Sequence, residues 1–113
     1  KQYYPVDDYT LPQLPRGSYD SVLTCYTLAY LDQAAVTTTL KGVHDLGTQH
    51  MIVVEPMAWV APFKAPGLYQ GHAMPSYAHD YPRLAEQAGW KVNWRWPIVP
   101  AYQGLNATLV LSR

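Results

Sequence analysis

The chain has 113 residues, 49% hydrophobic and 14% charged, and its 8 basic and 8 acidic side chains leave a formal net charge of zero. That size fits one domain, and the composition belongs to a folded chain. Balanced charge with no run of one sign excludes a broad electrostatic grip on nucleic acid or on an anionic membrane. A single cysteine excludes an internal disulfide framework and any multi-cysteine metal site. The longest apolar runs, near 51–54 and 57–62, fall far short of the ~20 residues of a membrane span. The N-terminus has no basic-then-apolar signal layout and no initiator Met, which leaves a gene start upstream of Lys1 open. The 10 prolines, 10 tyrosines and 4 tryptophans predict long ordered loops rich in aromatic side chains.

In chain order, residues 1–19 are cut short by Pro5, Pro12, Pro15 and Gly17, with room for a short strand over 2–6. Residues 21–26 read as a buried strand carrying Val22, Leu23, Cys25 and Tyr26. A helix follows over 32–46, with Asp32 as N-cap, Val36, Leu40 and Val43 at helical spacing, and Gly47 as its stop. The run Thr37-Thr38-Thr39 is a poor helix former, so packing must support it. Residues 50–55 are apolar on both parities, the pattern of a parallel strand covered on both faces, and Pro56 ends it. From 57 to 79 no period is sustained, and the segment holds Trp59, Phe63, Tyr69 and Tyr77. Its length and aromatic content predict an ordered cover or lid.

A second helix is predicted over 81–88, capped by Asp80, with Pro82 in its tolerant first turn and Gly89 after it. Leu84, Ala85 and Ala88 mark its buried face. Residues 90–96 alternate, with Trp90, Val92, Trp94 and Trp96 on one side, as in an antiparallel strand near an edge. A loop over 97–104 and a last strand over 105–111 complete an α/β arrangement.

Several of these stretches resemble class I S-adenosylmethionine-dependent methyltransferases. Tyr19-Asp20-Ser21-Val22-Leu23-Thr24-Cys25-Tyr26-Thr27-Leu28 is similar to the family's fourth strand, and Ile52-Val53-Val54-Glu55-Pro56 to its fifth. Val6-Asp7-Asp8-Tyr9-Thr10-Leu11-Pro12 is similar to the acidic loop after the third strand. Tyr77-Ala78-His79-Asp80-Tyr81-Pro82 with Ala88-Gly89-Trp90 resembles the late helix entering the sixth strand, and Asn106-Ala107-Thr108-Leu109-Val110 the antiparallel last strand. The glycine-rich loop after the family's first strand and the acidic residue after its second have no counterpart here.

The resemblance implies a Rossmann-like methyltransferase sheet, incomplete, with parallel strands flanked by helices and a C-terminal antiparallel hairpin. The 113 residues would be one partial domain beginning near the third strand. It further implies S-adenosylmethionine as cofactor, a small-molecule acceptor, a cytoplasmic setting, and no nucleic-acid or membrane partner. The N-terminal part would be supplied from outside this sequence, on another chain or by strand exchange in a homo-oligomer. Without it, the strand at 21–26 is an open edge, and the isolated chain is not expected to be a soluble monomer.

Site candidates follow from the same resemblance, each beside a plainer role. Asp7 or Asp8 would accept from the adenine amino group, or form a turn beside Pro5. Tyr9 would stack near adenine, or simply pack. Thr24, Cys25 and Tyr26 stand at the carboxyl end of a parallel strand, where α/β sheets bind ligands, and would lie near the methionine portion of the cofactor. Cys25 also fits a small buried apolar residue. Glu55 would bind substrate or act as a base, or be a surface carboxylate at a strand end. His79, ahead of His72, would take a proton from the acceptor, or cap and pack beside Asp80. Tyr77, Trp59 and Tyr69 would contact the substrate. The histidine spacing supports no metal site. A non-catalytic methyltransferase-like interaction module is the rival reading. A flavodoxin-like binding domain is weaker, because Asp7-Asp8-Tyr9-Thr10 makes a poor phosphate loop.

Overall fold

The computed structural model describes residues 17, 19–60, 63–70, 75–101 and 104–113, with backbone alone at 94, 96–101 and 104–106. The predicted strand over 2–6, together with Asp7, Asp8, Tyr9 and His72, lies outside them. The elements run β1 (Ser21–Cys25), a single 3-10 turn (Leu28–Tyr30), α1 (Gln33–Asp45), β2 (His50–Glu55), β3 (Gly67–Tyr69), β4 (Ser76–Ala78), α2 (Tyr81–Gln87), β5 (Lys91–Ala101) and β6 (Gly104–Ser112). Four strands form one mixed sheet in the order β1-β2-β6-β5. β1 and β2 are parallel, whereas β6 is antiparallel to both β2 and β5.

The register puts the apolar side chains to work on one face. Met51, Val53 and Glu55 of β2 stand opposite Leu111, Leu109 and Ala107 of β6, and all six are buried. Val36, Leu40 and Val43 of α1 and Leu84 and Ala85 of α2 belong to the same core cluster, so both helices lie on this face. Burying each large apolar side chain contributes roughly 1.5–3 kcal/mol.

The other face is different. Leu23, Ile52 and Val110 occupy facing positions across β1, β2 and β6, and Leu23 is 64% exposed. Residues 50–55 therefore depart from the pattern of cover on both faces. Among the described residues, one parity is closed off by helices, while Ile52 and Val54 are only half-buried.

The helix boundaries follow the capping chemistry. The Asp32 carboxylate accepts from the Ala35 amide at 2.9 Å, and Gly47 leaves α1 with a φ of 81°. The hydroxyls of Thr37, Thr38 and Thr39 donate to the carbonyls of Gln33, Ala34 and Ala35 four residues back, so these poor helix formers bond into their own helix. Asp80 caps α2 through the Arg83 amide. Trp90 then locks the two helices together. Its indole donates to the Leu40 carbonyl at 3.0 Å and its ring meets the His44 imidazole edge-on at 5.1 Å.

Three further expectations need correction. The segment 57–79 contains a two-stranded hairpin of β3 and β4, too short to be read from periodicity. The strand predicted to stop at 96 continues to Ala101 through Pro97 and Pro100. Pro97 falls in the unpaired step between Trp96 and Val99, and among the described residues β5 is an edge strand, where the missing amide donor is tolerated. The same irregularity, with another between Val92 and Trp94, interrupts the strict alternation expected over 90–96.

Gly89 tests this packing. Its φ is 100°, and a Cβ there would stand 3.0 Å from the His44 Nε2. Gly89→Ala should destabilise the fold by more than ~1 kcal/mol in chemical denaturation, since both backbone and packing oppose it.

Candidate functional site

Because β1 and β2 run parallel, the segments leaving their carboxyl ends share one rim of the sheet. The chain leaves β1 by a forced turn. The Tyr26 amide donates to the Val54 carbonyl at 2.9 Å, extending the ladder by one residue. Tyr26 then adopts a φ of 50°, and on the segment after β2 Trp59 has a φ of 69°. These are the two non-glycine residues in the left-handed region among those described. Such backbone costs about 1–3 kcal/mol per residue and persists only where the surroundings fix it.

What fixes the first turn is Glu55, the last residue of β2, which is 0% exposed. Its Oε2 accepts the Thr27 amide and its Oε1 the Ala29 amide, both at 3.1 Å. The Thr24 hydroxyl lies beside the carboxylate outside hydrogen-bonding geometry and is buried without a partner. So is the Tyr81 hydroxyl, which comes in from α2. Burial raises the Glu55 pKa above 4.5, and the amides of Thr27 and Ala29 only partly oppose that rise. Burial, and secondarily the Glu55 charge, pushes the Tyr81 phenol well above 10.0.

His79 supports the same turn from the other side. It is 3% exposed, and its Nε2 lies 2.8 Å from the Leu31 carbonyl. A carbonyl can only accept, so Nε2 carries the proton. The imidazole stacks on Tyr77 at 5.3 Å and meets Tyr81 edge-on at 5.4 Å. Burial lowers its pKa below 6.5, against the Leu31 carbonyl and the charge of Asp32.

The remaining candidates separate by location. Thr24 is buried on the helix-covered side, whereas Cys25 is half-buried, ends β1 and carries a free thiol. Tyr26 sits at the rim, its ring edge-on to Tyr30 at 5.6 Å and its hydroxyl 3.5 Å from the Ser76 Oγ. Tyr77 of β4 is half-buried against His79, and Trp59 is 65% exposed. Tyr69 closes its own turn: its hydroxyl donates to the Ala65 carbonyl at 2.6 Å and its ring packs on Phe63. The structure thus brings Tyr26, Glu55, His79 and Tyr77 together, with Trp59 on the adjoining segment. It adds Tyr81, Leu31 and the amides of Thr27 and Ala29, none of which is a site candidate from the sequence. Tyr30, Trp59 and Leu68 are exposed on the segments that follow β1 and β2.

Among the described residues, no helix is long and apolar enough to cross a membrane. No protein-family model matches the chain, and no curated protein matches its sequence. Among solved structures, an S-adenosylmethionine-dependent methyltransferase from Mesorhizobium loti is similar, with a TM-score of 0.64 at 12% sequence identity. The match covers 91% of this chain and 66% of that one. The chain therefore has a methyltransferase-like α/β fold, and a third of the neighbour's length has no counterpart in it.

The buried ionisable groups predict a pH dependence. His79 has a folded pKa below its unfolded value of 6.5, so its contribution to stability is present above pH 6.5 and is lost as pH falls towards the folded value. Glu55 has a folded pKa above 4.5, so its contribution is full below pH 4.5 and is lost as pH rises through the folded value. Urea denaturation across this range should show that His79→Gln flattens the acid-side decline that begins below 6.5. A decline unchanged in the variant would contradict the assignment to His79.

Proposed function

We propose that the chain belongs to a protein that transfers a methyl group from S-adenosylmethionine to a small acceptor. The observation that carries this reading is the methyltransferase-like fold combined with a strained, pinned aromatic residue, Tyr26, at the carboxyl end of its first parallel strand.

The residues at this rim fit such a cofactor. Tyrosine rings suit a sulfonium cation through cation–π attraction, and Tyr26 and Tyr30 are in contact there. When bound, S-adenosylmethionine supplies an intrinsically reactive methyl group. The protein then has mainly to align acceptor and methyl carbon and to exclude water. In this reading Tyr26 and Cys25 line the methionine side and Asp7 or Asp8, with Tyr9, the adenine side. Trp59, Tyr77 and Tyr69, carried by the segment 57–79 itself, belong to the acceptor side, with His72 in the same segment.

The reading includes a completing segment, either preceding β1 in a longer chain or supplied by a partner. Two features support it. β1 is an edge of the sheet among the described residues, and the row Leu23, Ile52 and Val110 lies on the face opposite the helices. An open parallel edge beside an apolar face invites strand addition. The same features favour the second reading, a non-catalytic module that docks through this face.

Calorimetric titration of S-adenosylmethionine into the complete protein, including any residues encoded before Lys1, separates the two. The methyltransferase reading predicts saturable binding, weakened about tenfold or more by Tyr26→Ala, equivalent to roughly 1.4 kcal/mol. Absence of binding by the complete protein would leave the non-catalytic module.

A further inference from the structure

We infer that Glu55 and His79 are positioning residues, a paired clamp that holds the two left-handed aromatic residues, Tyr26 and Trp59, at the sheet rim. The clamp is read from contacts alone, and only what it serves rests on the methyl-transfer reading above.

The argument starts from strain. A tyrosine at φ 50° and a tryptophan at φ 69° each need neighbours that leave no other path. For Tyr26 those neighbours can be named. Upstream, its own amide is held by the Val54 carbonyl. Downstream, the Glu55 carboxylate takes the Thr27 and Ala29 amides, one on each oxygen. Past the 3-10 turn, the His79 imidazole holds the Leu31 carbonyl. The turn between β1 and α1 is therefore tied at both ends and in the middle.

His79 also reaches the second strained residue. Its backbone carbonyl accepts the Ala58 amide at 2.9 Å, and its backbone pairs with Met57 as an isolated parallel bridge. One residue thus binds the β1 exit through its side chain and the β2 exit, directly before Trp59, through its main chain. Glu55 lies between them as the last residue of β2.

Both residues are built for holding rather than for proton exchange with a ligand. Glu55 is fully enclosed and His79 nearly so. Each Glu55 oxygen already accepts an amide, and the His79 ring is covered by Tyr77 on a face and met by Tyr81. The titratable side chain facing Glu55 is the Tyr81 phenol of α2, accompanied by the Thr24 hydroxyl of β1. Asp32, from the start of α1, is the charge that acts on His79.

The test is an NMR pH titration of the complete protein, following the amide protons of Thr27 and Ala29 and the ring protons of Tyr26. The clamp predicts that both amides move together with one midpoint above 4.5 and that the Tyr26 ring moves with the same midpoint. In Glu55→Gln the titration should vanish, the Tyr26 ring signals should shift, and the Kd for S-adenosylmethionine should rise about tenfold or more. The clamp is overturned if the two amides do not titrate together. It is equally overturned if Tyr26 is indifferent to Glu55, or if Glu55→Gln lowers kcat while leaving KM, Kd and the Tyr26 signals unchanged, the signature of a base. The wild-type titration, repeated in His79→Gln to remove the neighbouring imidazole's own titration, decides the point even if Glu55→Gln does not fold. It also decides it if the protein does not bind the cofactor, so failure of the functional reading is distinguishable from failure of the clamp.

Discussion

A carboxylate enclosed at the end of a strand is the constraint on which this molecule turns. Removing a charge-bearing group from water costs several kcal/mol unless hydrogen bonds replace the lost solvation. Glu55 receives those bonds from the amides of Thr27 and Ala29, and in doing so fixes the path by which the chain leaves β1. The dependence is mutual. Those amides open a segment with two buried residues, Leu28 and Ala29, where an unpaired donor would itself be costly. Loss of either partner leaves the other stranded.

The sheet has two unlike faces. One is closed by both helices and bound by the Trp90 indole to the backbone of α1. The other carries an apolar row ending on an exposed Leu23 of β1, an edge strand among the described residues. The rim lies between these two faces, where the closed side supplies rigid support and the strained residues stand at its top.

Legibility from sequence followed the range of the forces involved. Capping and periodicity are local, so Asp32, Asp80, Gly47 and the buried stripes of both helices could be read directly. The antiparallel last strand came through family resemblance, whereas no local pattern encodes that β6 lies between β2 and β5. The hairpin of β3 and β4 has strands of three residues each, below the length at which alternation is visible. The passage of β5 through two prolines depended on its edge position, a tertiary fact.

The site was legible as a location but not as a set of contacts. Tyr26 and Glu55 could be placed near one rim from strand ends, and His79 and Tyr77 only through the family resemblance. Their relations are long-range: Glu55 reaches 28 and 26 residues back, and His79 reaches 48. Tyr81, a helix-start residue by sequence, becomes a buried phenol beside the clamp only in three dimensions. The left-handed backbone at Tyr26 and Trp59 leaves no trace in residue type, since glycine would be the usual choice there.

Native-state hydrogen exchange at the amides of Tyr26, Thr27 and Ala29 tests the account most directly. Local openings set exchange rates, so a clamped turn should open only with the sheet that holds it. The account predicts that these three amides exchange as slowly as those of β2. Exchange of Thr27 and Ala29 at the rate of exposed loop amides, with β2 still protected, would show a turn that Glu55 does not hold.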